Sequence, residues 1–117
     1  MVSSDMRIKL TRSPNNPIIE PRPEIAWEST ATFNPGTVRD GGITHILYRA
    51  VDERNVSSLG YAATIDGEAI LDRSTEPVLS PAGPWEEWGC EDPRITAHDG
   101  TYYVSIRRIR DGAPESP

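Results

Sequence analysis

EDPRITAHDGTYYVSIR, residues 91–107, sets an Asp-Pro pair ahead of two β-rich runs, RITA (94–97) and TYYVSIR (101–107), with Asp99-Gly100 between them. Asp and Gly tolerate the positive φ of a tight turn, and the Thr, Tyr, Val and Ile of the second run suit a pleated, half-buried surface. The stretch therefore reads as a β-hairpin. The same signs recur along the chain. ITHILYRA (43–50) and SLGYAATI (58–65) read as strands, the latter with Leu59, Tyr61, Ala63 and Ile65 on one face, and shorter strands are expected at 33–39, 68–72 and 77–79. Asp40-Gly41 and Asp66-Gly67 supply two further turns, which makes three hairpins. Eleven prolines and nine glycines are scattered throughout. No window carries an apolar stripe at i, i+3, i+4 and i+7 long enough for a confident helix, so the fold class is all-β with almost no helix.

An internal repeat makes the architecture more specific. Displacing the sequence by 58 residues sets Asn34-Pro35 on Asp92-Pro93, Gly42 on Gly100, Ile46 on Val104 and Arg49 on Arg107. Each copy runs polar residue, Pro, short strand, Gly-containing turn, strand. A four-stranded unit recurring at this spacing fits a propeller blade, although blades more often repeat at about 40 to 50 residues. Asn34 and Asp92 then start successive first strands, which in a propeller run beside the central channel, and their side chains are expected to face a common pocket.

Composition excludes several classes. The chain has 117 residues, short for a complete many-stranded fold, with 12 Lys plus Arg against 18 Asp plus Glu and a formal net charge of -6. That balance argues against a broad nucleic-acid surface. The single cysteine, Cys90, makes no internal disulfide, and MVSSDMRIKL lacks the apolar core of a secretory signal, so a cytoplasmic setting is expected. No run approaches the roughly 20 apolar residues of a membrane span. Cys90 without clustered His gives no metal site, and no Gly-rich phosphate loop or GxSxG elbow is present. His45 and His98 read as strand-surface or turn residues. Residues 1–24, with SPNNP and PRP, read as an irregular lead-in, 25–107 as the folded part and 108–117 as a mobile tail.

The acidic segment WEEWGCEDPRIT (85–96) poses the chemical question. In Asp92-Pro93 the proline disfavours helical φ/ψ at Asp92, so the carboxylate is expected from a stiff, extended backbone. The same dipeptide also opens ordinary turns in which the carboxylate accepts a backbone N–H. Glu86, Glu87 and Glu91 would raise the pKa of Asp92 by like-charge repulsion, whereas Arg94 on the same strand face would lower it; the sequence leaves the sign open. Trp85 and Trp88 suit inter-blade packing better than a sugar-stacking platform.

FNPGTV (33–38), LYRAVDE (47–53), LGYAATIDG (59–67), and above all WGCEDPRIT (88–96) followed by DGTYYVS (99–105), resemble the N-terminal part of the β-mannoside phosphorylases of glycoside hydrolase family 130. The ordered series spans roughly residues 15–106. The resemblance implies a five-bladed β-propeller, of which this chain covers roughly the first two blades. It implies inverting phosphorolysis of a β-linked mannoside, inorganic phosphate acting as co-substrate and mannose 1-phosphate as product, without a cofactor; some relatives use water instead. Hydrolysis with inversion needs two carboxyl groups about 6.5–9.5 Å apart. Phosphate is already a nucleophile and needs no base.

On this resemblance the proton donor matches Asp92, acting through a hydroxyl of the bound mannose. Asn34 matches a sugar-binding amide, while Asn-Pro also begins ordinary turns. Arg49 matches the pocket arginine of the YRA segment, its fixed fork suiting vicinal hydroxyls or a phosphate oxygen. Glu91 and Arg94 join the substrate-binding set, Arg94 chiefly as a guanidinium orienting nearby carboxylates. Two departures stand out. Many members place Ser-Arg before the Leu-Gly-Tyr-Ala strand where this chain has Ser57-Ser58, and the phosphate-binding residues of later blades fall outside the sequence. Two blades leave sheet edges open to another chain, homo-oligomers included. A partial, non-catalytic carbohydrate-binding or assembly module is therefore the alternative, and a third reading, another propeller glycosidase with an Asn-Asp-Pro-like segment, lacks its other carboxylates.

Overall fold

The computed structural model describes residues 8–81 and 89–109. A single 3-10 turn (Ala26–Glu28) precedes six strands: β1 Ala31–Asp40, β2 Ile43–Val51, β3 Ser57–Thr64, β4 Ile70–Arg73, β5 Gly89–His98 and β6 Thr101–Ile109. β1, β2, β3 and β4 pair antiparallel in chain order as one four-stranded blade. β5 and β6 form a second antiparallel hairpin, joined to the first unit by one parallel pair, Ser57 with Gly89. No helix among the described residues is long and apolar enough to cross a membrane.

The expected turns are present with one shift. Asp40 pairs with Ile43, so the first turn is Gly41-Gly42, with φ of 58° and 81°, rather than Asp40-Gly41. Its counterpart is Asp99-Gly100, with φ of 48° and 74°. Two consecutive positive-φ residues match the right-handed twist of the flanking strands, which is why two-residue hairpins favour them. Residues 77–79 contribute a single bridge, Leu79 to Leu59, instead of a strand.

SLGYAATI does not alternate as its pattern predicts. Ser57, Ser58, Leu59, Gly60, Ala62, Ala63 and Thr64 are all buried, Tyr61 is half-buried and Ile65 lies beyond the strand, exposed. β3 is the central strand, with β2 along one edge and β4 and the start of β5 along the other, and residues on both of its faces are buried. Small residues permit this: a Cβ on Gly60 would come within 2.3 Å of the Tyr48 ring. Ile46, Tyr48, Ala50 and Ala62 form the core, against which Ile18, Ile19, Trp27 and Ile70 pack. The irregular lead-in thus covers one face of the blade, anchored by Thr32 Oγ1 donating to Ile19 O at 3.0 Å.

One buried charge ties this side together. Glu28 is fully buried and accepts from both Arg22 Nε and Nη2, from Tyr48 OH at 2.7 Å and from Arg73 Nη2 at 2.7 Å. Two arginines and a phenol replace the hydration a buried carboxylate would otherwise lack. The Glu28 carboxylate in turn holds the Arg22 guanidinium above its ordinary pKa, and burial pushes the Tyr48 phenol up.

Candidate functional site

The site forms where the first strands of the two hairpins come together. Pro35 and Pro93 carry no N–H, so neither can complete a strand ladder. At both, the pairing register shifts: between Phe33 and Gly36 in β1, and between Glu91 and Arg94 in β5. These matching bulges place Asn34 at φ 49° and Asp92 at φ 52°. Asn and Asp enter the left-handed region more readily than other non-glycine residues, which accounts for their presence before each proline. The extended backbone expected at Asp92 is therefore corrected. Proline excludes the right-handed helical region, but the bulge resolves the missing N–H by turning Asp92 to positive φ.

Asn34 Nδ2 donates to Asp92 Oδ1 at 3.0 Å. With Pro35, Pro93 and Arg94, the two residues line an open hollow of about 460 Å³. The convergence anticipated from the repeat is the geometry seen. Close approach of β1 and β5 depends on Gly36, whose added Cβ would sit 2.5 Å from Pro93 O and 3.0 Å from Pro93 C. Nothing in the repeat signals this, because Gly36 aligns with Arg94; the only trace is the glycine directly after Asn-Pro.

Glu91 and Arg49 lie deeper, between the hairpins. Glu91 is 5% exposed. Its Oε2 is 2.6 Å from Arg49 Nη1 but is not aligned for a hydrogen bond, so charge rather than a directed donor holds the contact. Arg49 Nε donates to Ser57 Oγ at 2.7 Å, and the guanidinium lies 4.6 Å from the centre of the Phe33 ring. Arg107 Nη1 stands 3.9 Å from Glu91 Oε1. Arg94 is exposed on the rim of the hollow. The structure thus brings Asn34, Asp92 and Arg94 to the hollow, whereas Arg49 and Glu91 are paired with each other and do not line it. Glu86, Glu87, Trp85 and Trp88 lie outside the described residues. No group of three or more His, Cys, Asp or Glu able to hold a metal ion occurs among the described residues.

Asn34 Nδ2 fixes the Asp92 carboxyl group through Oδ1, and both residues line the hollow. A sugar hydroxyl there would meet an amide, a carboxyl group and a guanidinium, donors and acceptors in the mixture that carbohydrate hydroxyls require.

One four-stranded antiparallel blade and the first hairpin of a second, with a polar site where their first strands meet, fit a β-propeller. The profile of glycoside hydrolase family 130, described as beta-1,4-mannooligosaccharide phosphorylase, matches residues 6–106, and the chain belongs to this family of five-bladed propellers, covering part of one. Two curated relatives from Thermoanaerobacter sp. (strain X514) are each 39% identical. A 1,2-beta-oligomannan phosphorylase aligns over 89% of this chain and 37% of its own length, and a beta-1,2-mannobiose phosphorylase over 82% and 36%. A solved family 130 structure, reported with glycoside hydrolases that target beta-1,2 mannosidic linkages in Candida mannan, superposes with a TM-score of 0.80 at 30% identity, covering 88% of this chain and 35% of that one. The chain spans little more than a third of the length of the curated relatives it matches.

Proposed function

We propose that these blades supply the proton-donor side of a β-mannoside phosphorylase site, with Asp92 as donor and β-1,2-linked oligomannosides as substrates. The contact of Asn34 Nδ2 with Asp92 Oδ1 at the open hollow carries the reading, because it sets a carboxyl group beside a sugar-binding amide in one recess large enough for a sugar. The β-1,2 preference rests on the names of the two relatives at 39% identity.

In the proposed reaction a phosphate oxygen attacks the anomeric carbon from the face opposite the departing sugar. The C1–O glycosidic bond breaks, its electron pair stays on the leaving oxygen, and the Asp92 proton reaches that oxygen by way of a mannose hydroxyl. Mannose 1-phosphate of inverted configuration and a shortened oligomannoside result. Asp92 regains its proton from solvent or from the next phosphate. Asn34 orients the acid, and Arg94 offers hydrogen bonds at the rim.

The test incubates the purified protein with β-1,2- and β-1,4-mannobiose, with and without phosphate, beside Asp92→Asn. The expected result is phosphate-dependent mannose 1-phosphate, mainly from the β-1,2 substrate, with Asp92→Asn reducing the rate by about 10²–10⁴-fold. Free mannose formed without phosphate would overturn phosphorolysis in favour of hydrolysis. Sugar binding without turnover would favour the non-catalytic carbohydrate-binding reading, which the chain's partial coverage of its relatives keeps open.

A further inference from the structure

We infer that Glu91 is a positioning residue: its buried carboxylate locks the Arg49 guanidinium between the two bulges and so holds Asn34 and Asp92 in register. The inference rests on the reading of Asp92 as proton donor and gives Glu91 and Arg49 a different role from sugar contact.

The geometry is specific to these residues. Phe33 immediately precedes Asn34, and Glu91 immediately precedes Asp92. In their own hairpins they are equivalents, Phe33 paired across the ladder with Arg49 and Glu91 with Arg107. Arg49 engages both, stacked on the Phe33 ring at 4.6 Å and in ion contact with Glu91 Oε2 at 2.6 Å. Its third partner is Ser57 Oγ, on the strand whose first residue also forms the parallel pair with Gly89. One planar cation therefore touches β1, β3 and β5, and its contacts on β1 and β5, Phe33 and Glu91, lie directly beside the bulge residues Asn34 and Asp92. Arg107, the repeat equivalent of Arg49, is half-exposed and stands 3.9 Å from the same carboxylate, so Arg49 is the closer clamp.

Burial makes the pair directional. Glu91 is buried directly before Asp92 in β5, and its Oε2 has no aligned hydrogen-bond donor among the described residues. A carboxylate held in this way resists rearrangement only while its cation stays in place, and the cation stays only while stacked on Phe33 and bonded to Ser57. Loss of either charge frees both bulges, displacing Asp92 relative to Asn34 without removing any group at the hollow.

The test uses the whole chain and two independent readouts. In amide NMR spectra the Asn34 side-chain NH2 signals should follow the titration of Asp92. Glu91→Gln should reduce that response at least about twofold, because the coupling depends on the 3.0 Å contact. With β-1,2-mannobiose and phosphate, the same variant should lower kcat on the order of tenfold or more while KM stays within about twofold. Arg49→Lys, which keeps the charge but loses the planar stack and the Ser57 bond, should reproduce the NMR change in a protein that remains folded. Glu91→Gln combined with Arg49→Gln should lose little beyond either single change. An undiminished Asn34 response in folded Glu91→Gln or Arg49→Lys would overturn the inference, as would a rise in KM alone, the mark of direct sugar contact. If the wild type does not turn over, the functional reading fails, while the Asn34 response still decides the positioning role.

Discussion

Ile46 and Val104 occupy the same place in two hairpins of nearly identical construction, yet Ile46 is 5% exposed and Val104 46%. Both hairpins have an Asx-Pro bulge, positive φ before the proline and a two-residue turn with positive φ at both positions. They differ in what covers them. β2 is flanked by β3 and capped by the lead-in with Ile18, Ile19 and Trp27, whereas Tyr102, Tyr103 and Val104 of β6 remain exposed among the described residues. Hairpin geometry is therefore a local property, written in proline, glycine and Asx residues, while the core belongs to the four-stranded assembly.

The largest test of that difference is the charge beneath the first hairpin. Glu28→Gln leaves Arg22 and Arg73 without their carboxylate, and breaking one side of a buried pair costs about 3–5 kcal/mol. Urea unfolding should show the loss. Hydrogen exchange should place it first in β1–β4, with β5–β6 amides less affected; equal loss in both hairpins would mean that they unfold as one unit.

Ile46→Ala and Val104→Ala compare the two positions directly. Truncating the buried side chain should cost about 2–5 kcal/mol, and truncating the exposed one no more than about 0.5 kcal/mol. Similar costs would show that β6 is covered in solution, by a second copy or by more of the propeller, and the dependence of the midpoint on protein concentration would distinguish a second copy.

Gly36→Ala probes the seam between the hairpins. Its Cβ would press on the Pro93 carbonyl, a backbone group that cannot rotate away, so β1 and β5 must separate. Overpacking of this kind costs about 1–3 kcal/mol. The more telling effect is loss of the Asn34–Asp92 contact, read from the Asn34 side-chain amide signals; an unchanged contact would mean that the seam yields elsewhere.

These pairs also show which parts were legible in the sequence. The repeat was visible because proline and glycine mark bulges and turns directly, and the meeting of Asn34 with Asp92 followed from it. The positive φ of both residues was not, because a proline reports what its predecessor avoids rather than which alternative a bulge selects. Burial of both faces of β3 was masked by an apparent alternation, since Gly60 and Ala62 occupy the second face without looking hydrophobic. Glu28 was invisible as a core residue because its partners Arg22, Tyr48 and Arg73 are scattered along the chain and only the fold collects them. Arg49 was recognisable as a site-region arginine. Its commitment to Glu91, Ser57 and Phe33 depends on the docking of β5, which no local pattern encodes.

The finest comparison lies between two tyrosines whose phenols are both held above the ordinary value of 10.0 for different reasons. Tyr48 is raised chiefly by burial, and exposed Tyr102 chiefly by the neighbouring Asp40 carboxylate. In each case the folded chain keeps its proton after the unfolded chain has begun to lose it. The contribution is therefore fully present below pH 10, and it is lost as pH rises through 10 toward the folded-state values. Neither group makes stability depend on pH near neutrality. In alkali, the fall in stability measured by urea unfolding should become shallower in Tyr48→Phe, compared with each protein's own value at pH 8 so that the lost bonds to Glu28 and Arg73 cancel. Tyr102→Phe should flatten it less, because water and salt screen an exposed pair, and added salt should shrink its effect further while leaving that of Tyr48. Equal, salt-sensitive contributions would place Tyr48 in contact with solvent and contradict the enclosed core assigned to the first hairpin.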